Sequence, residues 1–163
     1  MKIIGIDPGL SGAIAILKEN KVLGLFDIPV MSEGKKNKRQ LNSAQLVNII
    51  RENTLKDDEV VVVVEQVNAM PGQGVTSMFN FGQTFGAIKG VCAALNLPIF
   101  FVRPSKWKKH FELINSSKDS SRTKAIEMYP SLSNELSKKK DVNKSDAILI
   151  ARFYSETKFK EIN

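Results

Sequence analysis

The sequence predicts an α/β fold in which helices flank a mixed five-stranded sheet, made of a three-strand antiparallel meander plus two parallel strands. Apolar stretches joined by short turns over residues 2–30 are typical of a meander. Five consecutive valines at 60–64 are typical of a strand buried on both faces, as in parallel pairing. A right-handed crossover through the first helix places this strand parallel to and beside the first strand, and residues 99–103 are the fifth strand, which is the second parallel one.

The first two strands enclose a carboxylate. Residues 2–17, KIIGIDPGLSGAIAIL, predict an apolar strand that ends at Asp7, a turn rich in proline, glycine and serine, and a second strand. An aspartate in such a turn often does no more than bond the nearby backbone N–H groups. Asp7 is therefore a site candidate only if other carboxylates join it.

The third strand and the segment after it are more polar. Residues 21–30 are interpreted as an edge strand, because the proline and the aspartate near its end are poorly tolerated in a central one. Residues 31–40, MSEGKKNKRQ, predict a mobile basic loop that either touches phosphates or stays solvated. Asn42 or Ser43 then caps an amphipathic helix that ends near Glu52.

The valine strand ends on a second carboxylate, Glu65. Pairing beside the first strand brings Glu65 and Asp7 to the same edge of the sheet, since parallel strands end together. Residues 68–80, NAMPGQGVTSMFN, predict a loop directly after it, and a helix follows over about 81–96. The small residues of that helix allow close approach either to the sheet or to another helix.

The strand at 99–103 leads into a short basic helix. Pro104 begins this helix, which carries Lys106, Trp107, Lys108 and Lys109. Interleaved basic and aromatic side chains suit a nucleic-acid face. The alternative is that Trp107 is a core anchor and the lysines are simply exposed.

The last helix, residues 143–158, carries a third carboxylate, Asp146, in its first turn. One interpretation is an ordinary capping arrangement in which Asn143 is the N-cap. The other is that Asp146 joins Asp7 and Glu65, giving the order strand–Asp, strand–Glu, helix–Asp.

Composition narrows the class of protein. The 163 residues fit one domain spanning 1–163, and the net charge of +7 suits a polyanion, although it also serves solubility. Cys92 is the single cysteine and lies in an apolar stretch, so a disulfide framework is excluded and a core position in a reducing compartment is expected. No apolar run approaches the roughly 20 residues that span a bilayer, and no signal peptide is evident. We therefore expect a cytoplasmic protein with no membrane partner.

Clustered carboxylates at one sheet edge cannot all ionise cheaply without a cation, so the pattern predicts a site for Mg²⁺ or Mn²⁺. Two such ions about 4 Å apart activate water and stabilise the leaving oxygen in phosphodiester hydrolysis. Other chemistries are not supported, because the sequence has no phosphate-binding GxxxxGK[ST] loop, no zinc-ligand spacing and one histidine.

The chain resembles the RuvC-type Holliday-junction resolvases of the ribonuclease H-like superfamily, and specifically the small phage and bacterial branch. The matching segments are GIDPGLSGAIAI, VVVVVEQVNAMPGQGV and KSDAILIA, in family order across nearly the whole length. The GIDPG segment alone also suits actin-like and sugar-kinase ATPases, but those proteins need two such domains.

The resemblance implies a homodimeric, metal-dependent endonuclease that nicks two symmetric strands of a four-way DNA junction during recombination or repair. Asp7, Glu65 and Asp146 match the metal ligands of the family. Relatives have an Asp or His where this chain has Asn143, so either Asn143 or the nearby Asp141 completes the catalytic set. The resemblance also implies that the loop after Glu65 enters the junction. The expected DNA contacts are Gln73, Phe79, Lys106, Lys108, Lys109 and Lys144.

Two other functions remain open at this stage. One is a ribonuclease H-like nuclease that acts on structured RNA, which a comparison of junction DNA with RNA substrates separates from a resolvase. The other is a non-catalytic protein that binds branched DNA, which the missing fourth carboxylate at Asn143 favours.

Overall fold

The computed structural model describes residues 1–34, 38–66, 68, 72 and 74–158. Its strands are β1 (Lys2–Ile6), β2 (Ala13–Lys18), β3 (Lys21–Asp27), β4 (Val30–Glu33), β5 (Lys38–Leu41), β6 (Val60–Glu65) and β7 (Ile99–Val102). Its α-helices are α1 (Ser43–Asn53), α2 (Val75–Ala94), α3 (Pro104–His110), α4 (Ser120–Met128) and α5 (Val142–Lys158).

The main sheet has five strands in the order β3-β2-β1-β6-β7. Strand β2 pairs antiparallel with β1 and β3, whereas β6 runs parallel to both β1 and β7. The mixed sheet of a meander plus two parallel strands is therefore confirmed. The valine run forms β6 in the centre of this sheet, where its five valines are all buried.

Helices cover both faces of the sheet because the strands present apolar side chains to both sides. One core cluster packs the sheet against α5 and includes Trp107 and Ile148. The other packs it against α1 and α2 and includes Leu46 and Ile88. Cys92 lies in this second cluster and is fully buried, as expected for a core residue.

Helix α1 begins where the sequence predicts. Asn42 is the N-cap, and its Oδ1 accepts a hydrogen bond of 3.0 Å from the backbone N of Gln45. Leu46, Ile49 and Ile50 form its buried face, at the predicted amphipathic spacing.

The prediction of a basic loop over residues 31–40 is wrong for the described part of that segment. Strands β4 and β5 pair antiparallel as a separate hairpin, and the third strand of the main sheet ends at Asp27. The hairpin is anchored at its base, because Ile28 and Leu41 are buried in the core and the backbone N of Asn42 bonds Pro29 O at 2.8 Å. A two-stranded ribbon held in this way needs few apolar side chains. Its polar sequence therefore lacks the apolar pattern by which a strand is predicted.

The helix expected at about 81–96 begins earlier, at Val75, directly after its N-cap Gly74. Residues 75–80 contain no glycine or proline to stop it, and the loop predicted over 68–80 is wrong for these six residues. The glycines at 82, 86 and 90 are exposed, with open space where a Cβ would stand. These three glycines therefore do not serve close packing on the sheet.

Helix α5 begins at Val142, after a 3₁₀ turn over Lys139–Asp141. Asn143 thus lies inside the helix and is not its N-cap.

Among the helices described, none is both long enough and apolar enough to cross a membrane.

Candidate active site

The register of the central strands sets two carboxylates level with each other. Ile6 pairs with Val64 in the parallel β1–β6 ladder, so the next residues along, Asp7 and Glu65, end their strands side by side. The turn after Asp7 is tight, because a Cβ on Gly12 would collide with the carbonyl oxygen of Asp7. The backbone N of Asp7 also donates to Ala13 O at 3.0 Å, which fixes the start of the turn.

Helix α5 brings the third carboxylate to the same edge. It crosses β1 at Gly5, where a Cβ would collide with the carbonyl oxygen of Ala147 and the Cβ of Ala151. Only glycine permits this close approach, and Asp146 immediately precedes Ala147. The position of Asp146 is therefore a consequence of how closely α5 packs on the first strand.

The pKa values of the three carboxyls are raised by burial and, for Asp7 and Asp146, by the negative charge of the neighbouring carboxylates. Burial, aided by the charges of Glu65 and Asp146, raises the pKa of Asp7 to about 7. Burial also raises the pKa of Asp146 to about 6, and the charge of Glu65 adds to this. The pKa of Glu65 is raised as well, chiefly by burial. Part of this edge is therefore protonated near neutral pH unless a cation compensates.

Three neighbours oppose those shifts. Trp107 is fully buried and its Nε1 donates a 2.9 Å hydrogen bond to Glu65 Oε1, which lowers the pKa of Glu65. The charge of Lys108 lowers the pKa of all three carboxyls. A hydrogen bond from Ser121 lowers that of Asp146. Of the two interpretations of Trp107, the core anchor is confirmed.

Sequence reasoning missed these supporting roles. Trp107 and Glu65 are 42 residues apart, and their contact exists because β7 pairs with β6 up to Glu65 and α3 begins two residues after β7. A signal was present in the sequence: the single tryptophan lies in the first helix after the strand next to Glu65.

The donor set fits a hard divalent cation. Asp146 Oδ1 is buried and lacks a hydrogen-bond partner among the described residues, and a buried carboxylate oxygen in that state requires a counterpart. Carboxylate oxygens are the ligands that Mg²⁺ and Mn²⁺ prefer. Within the described ranges no three His, Cys, Asp or Glu side chains already stand in metal-binding geometry. Binding an ion would therefore require the carboxylates to close on it.

Asp141 and Asn143 are engaged in other contacts. Asp141 is buried, and its Oδ2 accepts a 2.9 Å hydrogen bond from the backbone N of Lys138, which closes the 3₁₀ turn before α5. The Asn143 side chain donates from Nδ2 to Ser11 O, which ties α5 to the turn that follows Asp7. Asn143 thus braces the edge of the sheet that carries Asp7, Glu65 and Asp146, which we call the carboxylate edge. Asp141 stabilises the start of α5.

The expected DNA contacts are spread over several elements. Lys106 and Lys109 are exposed on α3, and Lys108 is half-buried with Nζ 5.3 Å from the centroid of the Trp107 ring. Lys144 Nζ lies 3.6 Å from Asp27 Oδ1 and 4.0 Å from Asp141 Oδ1. Phe79 lies on α2 and is 65% exposed, and Gln73 lies outside the described residues.

Comparison with known proteins gives similarity in structure only. No protein-family model matches the chain, and no curated protein matches it. A T. thermophilus RuvC structure in complex with Holliday junction substrate superposes with a TM-score of 0.66 at 16% identity, covering 95% of this chain and 93% of that one. A second Thermus thermophilus RuvC structure gives 0.54 at 17% identity, covering 97% of each chain.

The superpositions span nearly the whole of both chains. The small phage and bacterial branch stays a prediction. The chain has the RuvC-type, ribonuclease H-like fold.

Proposed function

We propose that this protein is a divalent-metal-dependent endonuclease that cuts four-way DNA junctions by paired symmetric nicks. The observation that carries the proposal is the convergence of Asp7, Glu65 and Asp146, with raised pKa values, at one edge of a RuvC-type sheet. Buried like charges are costly, and active sites are where such arrangements concentrate.

In this proposal the three carboxylates hold Mg²⁺ or Mn²⁺, with two ions per site as the expected number. When bound, the cations supply positive charge opposite the scissile phosphate and its attacking water. Trp107 orients Glu65 through its hydrogen bond, which also favours the ionised form of the carboxyl. Lys108 adds a fixed positive charge beside the cluster, which favours an approaching phosphate.

The nucleic-acid substrate is supported by charge and by fold. A net charge of +7 favours a polyanion, and the exposed Lys106 and Lys109 on α3 are suited to phosphate contacts. A junction is favoured over other nucleic acids because one similar structure holds a Holliday junction substrate.

A homodimer would supply the two sites that paired nicks require, because a two-fold axis relates both the protomers and the strands. Helix α2 is the favoured contact, since its exposed side presents Gly82, Gly86 and Gly90 together with the 86% exposed Val75 and the 65% exposed Phe79. Gly86→Leu is expected to yield a monomer that loses coordinated double nicking, as measured by sedimentation and by nick-pairing on a cruciform plasmid. A wild-type chain that stays monomeric on junction DNA contradicts this part of the proposal.

The experiment that tests the function is cleavage of a four-way junction in Mg²⁺ or Mn²⁺, with linear duplex, structured RNA and a chelator as parallel arms. We expect metal-dependent cuts at symmetric positions in the junction and much slower cutting of linear duplex. Preferred cutting of the RNA would assign the ribonuclease alternative. Tight junction binding without cleavage in either metal would assign a non-catalytic binder.

A further inference from the structure

A second feature lies beside the carboxylate edge. It is a cleft of about 780 Å³, lined by Ser11 and Gly12 of the turn after Asp7, by Asn143, and by Val30 and Arg39 of the β4–β5 hairpin. Residues just before α4 and α5 complete its lining. We call it the basic cleft, after its cationic side chains Arg39, Lys118, Lys139 and Lys140.

The acidic side chains of the basic cleft form their hydrogen bonds and ion pairs with groups other than these four cations. Asp119 is held by two hydrogen bonds of 2.7 Å from Arg122, to Oδ1 and to Oδ2. Asp141 accepts the bond from the backbone N of Lys138, and Asp27 lies 3.6 Å from Lys144 Nζ. These contacts leave the cleft cationic despite its three aspartates.

The four cations have no such engagement. Within the part of the chain that the structure describes, none of Arg39, Lys118, Lys139 and Lys140 forms a salt bridge. Arg39, Lys118, Lys139 and Lys140 are all exposed. Because Arg39 comes from the hairpin and the three lysines come from the segments before α4 and α5, an anion lying in the cleft would meet positive charge from separate parts of the chain.

The basic cleft is lined by neighbours of the carboxylates. The turn that follows Asp7 lines it, and so does Asn143, which lies one helical turn before Asp146 on α5. Lys118 connects the two regions, since it lines the cleft and its charge also lowers the pKa of Asp146. A polymer with its phosphate at the carboxylates would therefore run naturally into the cleft.

We propose that the basic cleft binds the phosphodiester backbone of the DNA strand adjacent to the phosphate that is cut, with the β4–β5 hairpin contributing to its lining. This inference rests on the proposed function, and it assigns a role to the hairpin and to cations outside α3. Arg39 contributes a planar guanidinium that can bond two phosphate oxygens at once, and the lysines contribute point charges.

The test measures how junction binding depends on salt, without divalent metal, for the wild type and three double variants. Lys139→Gln with Lys140→Gln removes two cleft charges. Lys139→Arg with Lys140→Arg keeps them. Lys18→Gln with Lys21→Gln is the matched control, because both lysines are exposed at the far end of the β2–β3 hairpin, away from the carboxylates.

Each phosphate contact contributes about 0.9 to the slope of log Kobs against log salt on B-DNA. We expect the cleft glutamine variant to lower the slope by about 1 to 2 and the affinity at least about tenfold at 0.1 M salt. The arginine variant and the Lys18/Lys21 control are expected to keep wild-type slopes. Arg39→Gln is expected to lower the slope by about 1, and it is an independent probe because Arg39 lies on the β4–β5 hairpin.

A cleft glutamine variant that binds like the Lys18/Lys21 control would overturn the proposal while leaving the proposed function in place. An equal loss of junction affinity in the arginine and glutamine variants would also overturn it, because that result indicates a structural role of the 3₁₀ turn over Lys139–Asp141. Failure of the wild type to bind junction DNA in a salt-dependent way would instead overturn the proposed function itself.

Discussion

Asp7 and Asp58 lie at opposite ends of the central sheet, and their surroundings are electrostatically opposite. Asp58 precedes β6 and lies 2.7 Å from the ammonium of Lys2, and its hydrogen bond from Lys2 is the main reason that its pKa is lowered. Asp7 ends β1 and meets Glu65 and Asp146, and burial with those like charges raises its pKa to about 7.

The comparison separates an acid that stabilises the fold from the acids that we propose to bind a metal ion. An aspartate near a strand end that serves the fold is expected to acquire a cation or backbone partner, as Asp58 does with Lys2 and with the backbone N of Leu55 at 2.7 Å. The carboxylate edge instead gathers acids and leaves one oxygen of Asp146 without a partner among the described residues. Such an arrangement is unfavourable for the isolated chain and favourable once a divalent cation binds.

The largest expected effect is on cleavage. Asp7→Asn, Glu65→Gln and Asp146→Asn should each reduce junction cleavage by about 10³-fold, since each removes charge worth several kcal/mol to the transition state. Asp58→Asn is the control and should cut at the wild-type rate. Single-turnover assays measure both. A near wild-type rate in any of the three site variants would exclude that residue from the site.

The second effect is on stability and its pH dependence. Folding raises the pKa of Asp7 from 3.8 to about 7, so the native state binds more protons than the unfolded state over that interval. The free energy of unfolding should therefore fall as pH rises from about 4 to 7. In metal-free buffer, Asp7→Asn should be more stable than wild type by about 2 kcal/mol at pH 8 and by much less at pH 5.

Urea unfolding at both pH values measures this difference. Asp58→Asn should behave in the opposite way, losing stability at pH 8, because the pKa of Asp58 is lowered in the folded state. A pH-independent effect of Asp7→Asn would show that a raised pKa of Asp7, caused by burial and by like charges, is not what distinguishes the two ends of the sheet.

The third effect isolates the bond from Trp107. Trp107→Phe keeps an aromatic ring in the core but removes the donor to Glu65 Oε1. Because this bond lowers the pKa of Glu65, its loss should raise that pKa and move the acidic limb of the rate profile to higher pH. We expect about a tenfold slower reaction at neutral pH, recovering in part at pH 8.5. A uniform loss at every pH would indicate a packing role only.

The smallest expected effects on the cleavage rate are those of substitutions at Asn143 and Asp141. Asn143→Ala removes the brace between α5 and Ser11 O and should slow cleavage by about three- to tenfold. Asp141→Asn should change cleavage less than this and mainly lower the melting temperature, because its carboxylate closes the turn before α5. Strong loss of cleavage in Asp141→Asn with unchanged stability would instead make Asp141 the fourth acid of the site.

The parts of the molecule that sequence reasoning could reach are those governed by local patterns. The valine run predicts a buried parallel strand, and with β1 it predicts that Asp7 and Glu65 end together, which the register confirms. The contact from Trp107 was missed, because it depends on how α3 packs beside β6 and the position of the single tryptophan was its one signal in the sequence. The β4–β5 hairpin was missed because cross-strand backbone bonds hold it and its sequence is polar.

The start of α2 was missed for a different reason. Gly74 and the segment before it favoured a loop, and the residues from Val75 onwards give no strong helical periodicity because one side of the helix is small or exposed. A helix whose outer side presents glycine and an exposed Phe79 is atypical for a surface helix packed only on its own sheet.

The central claim is that the carboxylate edge is a metal site, and calorimetric titration of the wild-type chain with Mn²⁺ in buffers of different ionisation enthalpy tests it most directly. With the pKa of Asp7 at about 7, binding at pH 6.5 should release a measurable fraction of a proton, and this release should disappear by pH 8.5. Asp7→Asn should bind Mn²⁺ far more weakly, whereas Asp58→Asn should bind like the wild type. Undetectable Mn²⁺ binding by the wild type, or equal binding by Asp7→Asn, would contradict the account.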